Sequence, residues 1–392
     1  MNLHLSDIAV QQFINEHLGD DITRILLKKS PFVTISSREL AEQIDSKKRS
    51  EKKLPLWFNS ENIYYPPKIS IEQSSSELTA NYKKDLAIGD KLLDLTGGFG
   101  VDSYYFSRKA GEVISCEQNA ELSEIAKHNA AILKADNIRF VSSDSIDYLQ
   151  HTEEAFDTIF ADPSRRIKNS KVFMLKDCEP DVVKNGDLLL SKAKRIIIKT
   201  SPLLDISSGL RELSHVSEIH VISVKNDCKE LLWVIDRDHA TEPEIHSAVL
   251  SEDGTQTFSF KLTEERSTII ETYSAPLQYI YEPDVALLKA GCFKLITARF
   301  AVKKLHSNTH LYTSAEYIED FPGRVFEVVT CLDYKNFIKT GFPDKANIIT
   351  RNFPLVPEEI KKKHHIGDGG LNYLLFTTGP SNQLLVIQAQ RM

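Results

Sequence analysis

The sequence has few cysteines and no long apolar run. Its five cysteines are scattered and form no Cys-x-x-Cys pair: Cys116, Cys178, Cys228, Cys292 and Cys331. This pattern argues against a disulfide framework or a zinc site and is typical of a reducing cytoplasm. No apolar stretch is long enough to span a bilayer, and residues 1–10 lack the pattern of a signal peptide. We therefore expect a cytoplasmic protein that binds neither a membrane nor a metal ion.

Positive charge is not in excess either. The net charge is −7 over 392 residues, so the chain has no global field that would attract nucleic acid. Any surface for nucleic acid must be local. The length allows two to three domains, and the apolar and charged fractions are those of an ordinary globular protein. The oligomeric state is left open.

Strand and helix patterns alternate through the middle of the chain. Strands are predicted at 91–95, 112–117, 138–143, 156–161, 195–200, 216–225 and 229–236. Helical patterns separate the first five, such as 121–133 and 173–190, so these strands should be parallel. The last two are joined by a turn that is too short for a parallel crossover. The pattern predicts an α/β fold with a seven-stranded Rossmann-like sheet, five strands parallel and two forming an antiparallel pair.

The flanking regions have a different character. Residues 1–60 show helical spacing, and a hairpin is predicted at 244–262 around Glu252-Asp253-Gly254. Beyond residue 273 the pattern becomes α+β, with a helix at 284–298 and strands at 311–313, 325–332, 346–350 and 371–377. Helices at 333–340 and 357–363 lie between these strands. This C-terminal module should be separate from the α/β domain.

A glycine-rich turn follows the first predicted strand. It contains Asp94, Thr96, Gly97, Gly98 and Gly100. Glycines allow a ligand to approach bare backbone, and a helix N-terminus follows. A dinucleotide site would need a third glycine where Ser103 stands, and an acid at the strand end would repel a pyrophosphate. S-adenosylmethionine carries an ammonium and a sulfonium, so the acid favours that ligand. A purely structural turn is the alternative.

Acids also follow the second and third strands. Glu117 closes the second strand, where a carboxylate suits the two vicinal hydroxyls of a ribose. This supports an adenosine ligand without separating NAD from S-adenosylmethionine, and a surface acid is the alternative. Asp144, followed by Ser145, comes after the third strand. We expect Asp144 to accept from the adenine amino group, with a backbone N–H nearby for the ring.

The fourth strand ends in Asp162-Pro163-Ser164-Arg165-Arg166. The carboxylate of Asp162 could orient an acceptor N–H or O–H or take its proton. Arg165 and Arg166 could hold a phosphate or carboxylate of the substrate. The alternative is a turn with solvated arginines.

A basic segment, residues 361–365, ends the last predicted helix. Cations are expected at a helix C-terminus on electrostatic grounds alone. A contact to RNA phosphates is the second interpretation. The two adjacent histidines lack the spaced partners of a metal site.

These motifs together resemble a class I S-adenosylmethionine-dependent methyltransferase over roughly residues 70–240. More narrowly, LLDLTGGFGVDSYYFS and ADPSRR resemble a bacterial family that has a ferredoxin-like segment and a THUMP-like domain after the catalytic domain. The stretches YIYEPDVALLKAG and NIITRNFPLVPEEIKKKHHIGDGGLNYLLFTT are similar to those two parts. The resemblance implies the following division: an N-terminal helical region (1–60), a methyltransferase domain (61–240), a hairpin connector (241–272), a ferredoxin-like segment (273–318) and a THUMP-like domain (319–392).

The resemblance implies S-adenosyl-L-methionine as cofactor and RNA, rRNA or tRNA, as substrate, because THUMP domains serve RNA-modifying enzymes. One departure concerns the acceptor. Methyltransferases of base amino groups usually have Asn/Asp-Pro-Pro and an aromatic residue where this chain has Asp162, Pro163, Ser164 and Arg165. Without the ring there is no obvious platform for a flipped base. Two alternatives stay open: a fold of reduced activity that binds RNA or protein, and methylation of a small molecule or a protein.

Overall fold

The computed structural model describes residues 1–165 and 174–392. The chain forms two compact units. The first contains residues 1–219 and 231–241, and the second contains residues 220–230 and 242–392. Among the described residues, no helix combines the length and the apolar character needed to cross a membrane.

The N-terminal region is helical, as predicted. Its helices are α1 (Ile8–Glu16), α2 (Ile22–Leu27), α3 (Ser37–Ser50), α4 (Pro55–Asn59), α5 (Lys68–Gln73) and α6 (Glu77–Leu86). A capping box at Ser36 and Glu39 begins α3. The buried side chains of this region form one core with the residues around the glycine-rich turn. The Trp57 ring lies 6.3 Å from that of Phe99 and 5.1 Å from that of Tyr104, centroid to centroid, so the helical region supports the turn from behind.

From β1 onward the chain alternates strands and helices. In chain order they are β1 (Lys91–Asp94), α7 (Val101–Ser107), β2 (Glu112–Cys116), α8 (Ala120–Ile132), β3 (Ile138–Val141), α9 (Ser145–His151), β4 (Phe156–Ala161), β5 (Ser164–Arg165), β6 (Cys178–Glu179), α10 (Gly186–Lys192), β7 (Ala193–Thr200), α11 (Ile206–Glu212), β8 (Val216–Val224) and β9 (Asp227–Asp236). The seven strands predicted for this region all form, and each end lies within two residues of its predicted position.

The parallel core of the sheet is as predicted. Strands β3, β2, β1, β4 and β7 are parallel neighbours in that order, and β9 pairs with β7 in the antiparallel direction. Apolar runs such as Ile196–Ile198 are buried because a parallel sheet is covered on both faces. The carboxyl ends of five strands therefore lie along one edge of the sheet, where ligands bind in folds of this class.

The prediction of seven strands was wrong. Two additional strands, β10 (Glu244–Ser251) and β11 (Gly254–Lys261), form the hairpin that we predicted as a connector. Within the described residues the sheet therefore has nine strands, in the order β11-β10-β8-β9-β7-β4-β1-β2-β3. An edge strand presents unpaired backbone groups to which a hairpin can add, and this pairing leaves no mark in the local sequence pattern.

The helix predicted over 173–190 was also wrong for its described part. Residues 175–177 form a short 3₁₀ turn, and β6 pairs with β5 in a separate two-stranded ribbon. Within the described part of this range, the α-helical conformation begins only at Gly186, the first residue of α10. Pro180 disfavours an α conformation at the residue before it, which is consistent with a helix that begins only later.

The second unit continues with an α+β module. Its remaining elements are α12 (Leu262–Ser267), β12 (Tyr279–Pro283), α13 (Val285–Ala290), α14 (Leu295–Phe300), β13 (Lys303–His306), β14 (Thr309–Ser314), β15 (Gly323–Asp333), α15 (Tyr334–Thr340), β16 (Asn347–Arg351), α16 (Pro357–His364), β17 (Asn372–Thr378) and β18 (Leu384–Arg391). In the described chain, seven of these strands form one sheet in the order β13-β14-β12-β15-β18-β17-β16, in which β16 and β17 are parallel and the other neighbours are antiparallel.

One predicted helix of this module is divided. The segment 284–298 forms α13 and α14 rather than one helix, because Gly291 caps α13 with φ of +80°. Strands β12, β13 and β18 were not predicted. The other strands and the two later helices lie close to their predicted positions.

Candidate functional site

The candidate site is the edge of the large sheet at which β1, β2, β4 and β7 end. Asp94 is the last residue of β1, Glu117 follows β2 and Asp162 follows β4. Lys199 is the penultimate residue of β7. Because these four strands are parallel neighbours, their ends place three carboxylates and one ammonium along the same edge.

Asp94 is fully buried and holds the turn that follows it. Its carboxylate accepts hydrogen bonds from Thr96 N at 2.9 Å, from Thr96 Oγ1 at 3.3 Å and from Ser103 Oγ at 2.6 Å. Burial raises the pKa of Asp94 to about 7, and the charges of Asp102 and Asp162 act in the same direction. A carboxyl group with such a pKa favours a cation nearby, because a cation would restore its charged form.

The glycine-rich turn passes very close to β2. A Cβ atom on Gly97 would lie 2.3 Å from Ser115 Oγ and 3.1 Å from Cys116 O, so no side chain fits there without a shift. Gly97 N donates to Cys116 O at 2.8 Å. Gly100 precedes α7 with φ of +84°, a conformation that glycine adopts at little cost. Gly98 also has a positive φ, so the turn is made of backbone that a ligand can approach.

Glu117 braces the turn from the end of β2. Its Oε2 accepts from Gly98 N at 2.8 Å, and its Oε1 accepts from Asn119 N at 2.8 Å. Each carboxylate oxygen has a second lone pair, so the group could also accept from two hydroxyls. The structure thus places Glu117, the residue predicted to bind a ribose, in direct contact with the glycine-rich turn.

Asp144 caps a helix. Its Oδ1 accepts from Ile146 N and Asp147 N at 3.0 and 2.9 Å at the start of α9. Its Oδ2 accepts from Nε2 of Gln118, the residue that follows Glu117, at 3.5 Å. Ser145 is the first residue of α9 and is buried. The capping bonds account for one oxygen of Asp144, and the other faces the segment after β2.

Asp162 is tied to both β1 and β7. Its backbone N–H donates to Thr96 Oγ1 at 2.8 Å, so Thr96 connects the loops after β1 and β4. Its carboxylate Oδ2 forms a very short ion pair with Lys199 Nζ. The Lys199 side chain is 13 % exposed and that of Asp162 is 33 % exposed. In the described part of the chain, Oδ1 of Asp162 has no hydrogen-bond partner.

A second lysine is buried behind the turn. Lys83 on α6 is fully buried, and its Nζ lies 3.1 Å from Asp102 Oδ1 and donates to Ser75 Oγ at 2.7 Å. Ser75 Oγ in turn donates to Asp102 Oδ2 at 2.7 Å. Burial alone would raise the pKa of Asp102, but Lys83 and Lys199 together hold that pKa below its ordinary value. Asp102 is therefore ionised within the electrostatic reach of both lysines.

The predicted arginines are only partly described. The backbone of Arg165 lies in β5, opposite Cys178 in β6. Arg166 lies outside the described residues. The role predicted for the two arginines stays a prediction.

Sequence reasoning missed Lys83, Lys199, Ser75 and Ser103. A signal existed for Lys199, since it follows three isoleucines at the end of a predicted strand, as Asp94 and Asp162 follow apolar runs. Lys83 had none, because a lysine in the last turn of a helix is ordinary. Its burial depends on the pairing of α6 with α7, which is a long-range feature.

The basic segment 361–365 is mainly engaged inside its own module. It ends α16, where Lys361 forms a 2.5 Å ion pair with Asp368. Lys363 Nζ lies 3.2 Å and His364 Nε2 lies 2.8 Å from the hydroxyl of Tyr334. These contacts account for three of the five side chains in terms of local structure.

Comparison with known proteins decides the family. A crystal structure from Porphyromonas gingivalis W83, described provisionally as a methyltransferase, superimposes with a TM-score of 0.87 at 33 % identity and covers 98 % of both chains. Family models match a ferredoxin-like domain at residues 279–322 and a THUMP domain-like region at residues 323–391. The chain belongs to this methyltransferase family.

Two curated relatives resemble only a part of the chain. An uncharacterised RNA methyltransferase of Mycoplasma mobile is 29 % identical over 34 % of the chain. A tRNA (uracil(54)-C(5))-methyltransferase of Pyrococcus horikoshii is 29 % identical over 26 % of the chain. The matched part spans about a third of the first relative's length and a quarter of the second's, 34 % and 25 %.

The residues present fit S-adenosylmethionine. The turn at Gly97 has no room for a side chain, and the buried Asp94 has a raised pKa that a cationic group would lower. Glu117 and Asp144 lie at the ends of the next strands with acceptor capacity left over. A dinucleotide would bring a pyrophosphate to this turn, and the three acids would repel it.

Proposed function

We propose that the protein is an S-adenosylmethionine-dependent methyltransferase that acts on RNA. The observation that supports it best is the buried Asp94 at the start of a turn that holds a glycine at close approach to β2. We propose that the cofactor is bound by the residues around this turn: Asp94, Thr96, Gly97, Gly98, Gly100, Glu117, Asp144 and Ser145. The cofactor, when bound, supplies a methyl group on a cationic sulfur.

The proposed roles follow from the contacts. Asp94 attracts the cationic end through its field or through a water molecule, because both of its oxygens already accept hydrogen bonds. Glu117 accepts from the ribose hydroxyls, and Oδ2 of Asp144, which also accepts from Gln118 Nε2 at 3.5 Å, accepts from the adenine amino group. Asp162 orients the acceptor, and Arg165 and Arg166 hold substrate phosphate. The domain boundaries predicted at residues 60, 240, 272 and 318 stay predictions.

The distribution of charge supports RNA as the substrate. Residues 279–392 contain 14 lysines and arginines against 11 acids, whereas the whole chain has a net charge of −7. The C-terminal module therefore has a net positive charge, which a polyanion would favour over the net negative charge of the whole chain. The similarity of this module to THUMP domains and the names of the curated relatives favour the same substrate.

Calorimetric titration with S-adenosylhomocysteine tests the cofactor site. We expect binding by the wild-type protein and a loss of at least tenfold in affinity for Gly97→Ala, whose Cβ would enter the space beside Ser115. Transfer of labelled methyl groups to total RNA from cells that lack the gene for this protein tests the substrate. Absence of cofactor binding would contradict the assignment to S-adenosylmethionine.

Two further outcomes separate the alternatives. Binding of the cofactor with label only in protein or small molecules would contradict RNA as the substrate. RNA binding without any cofactor affinity would indicate a module that has lost catalysis. The proposal requires both cofactor binding and label in RNA.

A further inference from the structure

The ion pair of Asp162 and Lys199 indicates which kind of atom receives the methyl group. We propose that the acceptor is a hydroxyl oxygen, the 2′-hydroxyl of a ribose in RNA, and that Asp162 takes up its proton while Lys199 holds the pair in place. This inference rests on the proposed function and adds the acceptor atom to it.

Electrostatics decides between an oxygen and an amine. An amine nitrogen that attacks a methyl group gains positive charge, and an ammonium beside it would oppose the reaction. A hydroxyl oxygen that loses its proton gains negative charge, and an ammonium beside it stabilises that charge. Lys199 is only 13 % exposed, so its charge acts with little screening by water.

The free oxygen of the carboxylate fits the same chemistry. Oδ2 of Asp162 is held by Lys199, and in the described residues Oδ1 is left to accept from a substrate hydroxyl. The backbone N–H of Asp162 donates to Thr96 Oγ1, so the residue is held at its backbone as well as at Oδ2 of its side chain. A general base that is anchored in this way loses little freedom when the substrate binds.

Cys116 does not supply the nucleophile for methylation at a ring carbon. That reaction needs a thiolate that first adds to the pyrimidine ring. Cys116, on β2 near the turn, is buried, and burial together with the charge of Asp94 raises the pKa of its thiol to about 12. Such a thiol is inert at neutral pH. Cys116 therefore cannot act as the nucleophile that methylation of uracil C5 requires.

The amino groups of bases fit less well than a hydroxyl. Asp162 is followed by Pro163 and by Ser164, the first residue of β5. Neither residue supplies an aromatic ring on which a flipped base could stack. A ribose hydroxyl can be reached without extracting a base from its stack. The net positive C-terminal module favours RNA over a protein hydroxyl as the source.

The reaction balances without a further reagent. The hydroxyl oxygen forms a bond to the methyl carbon while the carbon–sulfur bond breaks, and its electron pair remains on sulfur as the neutral thioether. The hydroxyl proton passes to Oδ1 of Asp162 and then to solvent. Asp162 touches the reacting atom, whereas Lys199 is a positioning residue that holds the Asp162 carboxylate and adds its positive field at the acceptor oxygen.

The chain contains a matched control for this pair. Lys194 lies at the other end of β7 and forms a 2.8 Å ion pair with Asp157 at the other end of β4. The two lysines thus share a strand and a type of partner, but Lys194 is 69 % exposed and remote from the glycine turn. Lys194→Ala should leave the rate of methylation unchanged.

The position of the label in the product tests the acceptor. Full-length protein is incubated with labelled S-adenosylmethionine and RNA from cells that lack its gene, and the RNA is then digested with alkali. Because alkaline cleavage needs a free 2′-hydroxyl, a 2′-O-methyl group leaves the label in resistant dinucleotides. We expect the label there. Label in mononucleotides would overturn the inference but leave the proposed function intact, whereas no label in RNA would overturn both.

The variants test the roles of the two residues. We expect Asp162→Asn to lower kcat by roughly 100-fold and Lys199→Ala by roughly 10- to 100-fold. Lys199→Arg, which keeps the charge, should recover most of the rate. Calorimetry with S-adenosylhomocysteine should give affinities within about twofold of wild type for both lysine variants. Equal losses for Lys199→Ala and Lys199→Arg, or a loss in cofactor affinity alone, would overturn the role of Lys199.

Discussion

The hydroxyl of Ser103 donates a 2.6 Å hydrogen bond to the carboxylate of Asp94, which is otherwise sealed from solvent. Ser103 lies on α7 and Asp94 at the end of β1, so this bond closes the glycine-rich turn between them. Asp94 therefore has two roles: its hydrogen bonds hold the turn in place, and its buried carboxyl group influences which charges can lie nearby. Because a buried charge is unfavourable when it has no partner, the carboxyl group either binds a proton or is stabilised by a nearby cation.

The stability of the unliganded protein should therefore fall as the pH rises. The pKa of Asp94 is about 7 in the folded chain against an ordinary value of 3.8. Between these values the folded state binds the extra proton, so its stabilisation is complete below the unfolded pKa and is lost as the pH rises through about 7. The slope from this group is about −1.4 kcal/mol per pH unit.

Urea unfolding across this range measures the effect. Asp94→Asn should flatten the pH dependence between about pH 4 and 7, whereas Asp136→Asn, at an exposed site, should leave it unchanged. Identical pH profiles of the wild type and Asp94→Asn would show that Asp94 is ionised in the folded state.

Binding of S-adenosylmethionine should depend on pH in the opposite sense. Its cationic groups favour the ionised form of Asp94, so binding below about pH 7 releases a proton. Affinity should then rise by up to about tenfold per pH unit until Asp94 is ionised. Calorimetry in two buffers of different ionisation enthalpy measures the released proton. Methylthioadenosine, which lacks the ammonium, serves as the control, and an equal proton release with this ligand would contradict the role of Asp94.

Gly97 should tolerate no side chain. In Gly97→Ala the Cβ would lie 2.3 Å from Ser115 Oγ, so the turn must move away from β2. We expect a loss of about 1–3 kcal/mol in the free energy of unfolding. Gly186→Ala is the control, because no atom lies within 4 Å of its Cβ position and alanine favours the helix that begins there. A Gly97→Ala variant as stable as wild type would contradict the close approach.

The sequence predicted the site residues best where an apolar strand pattern was followed directly by a polar residue. The acids at residues 94, 117 and 162 each follow an apolar run that could be recognised as a strand, and parallel strands place their ends on one edge. Lys83 and the added strands β10 and β11 depend on which elements pack together, which local periodicity does not encode. The division of the predicted helix at Gly291 shows a third limit, since a glycine inside a helical pattern can be tolerated or can end the helix.

The buried pair of Lys83 and Asp102 provides the last prediction. Both side chains are largely withdrawn from water, with 0 % and 12 % exposure, and their charged atoms are 3.1 Å apart. Lys83→Met leaves Asp102 buried without its main partner, and we expect a loss of about 3–5 kcal/mol in the free energy of unfolding. Lys83→Met combined with Asp102→Asn should lose less than the sum of the single variants, because the second change removes the uncompensated charge.

Urea unfolding of the four proteins in this cycle gives the coupling energy. The exposed pair of Lys229 and Asp227, 2.6 Å apart with side chains 44 % and 70 % exposed, is the control. Its coupling should be at most about 1 kcal/mol, since water screens an exposed pair. Additive losses for Lys83 and Asp102 would mean that the two residues stabilise the protein through separate partners. A clear coupling would instead support a fixed charge pair that holds the start of α7, and with it the turn from Gly97 to Gly100.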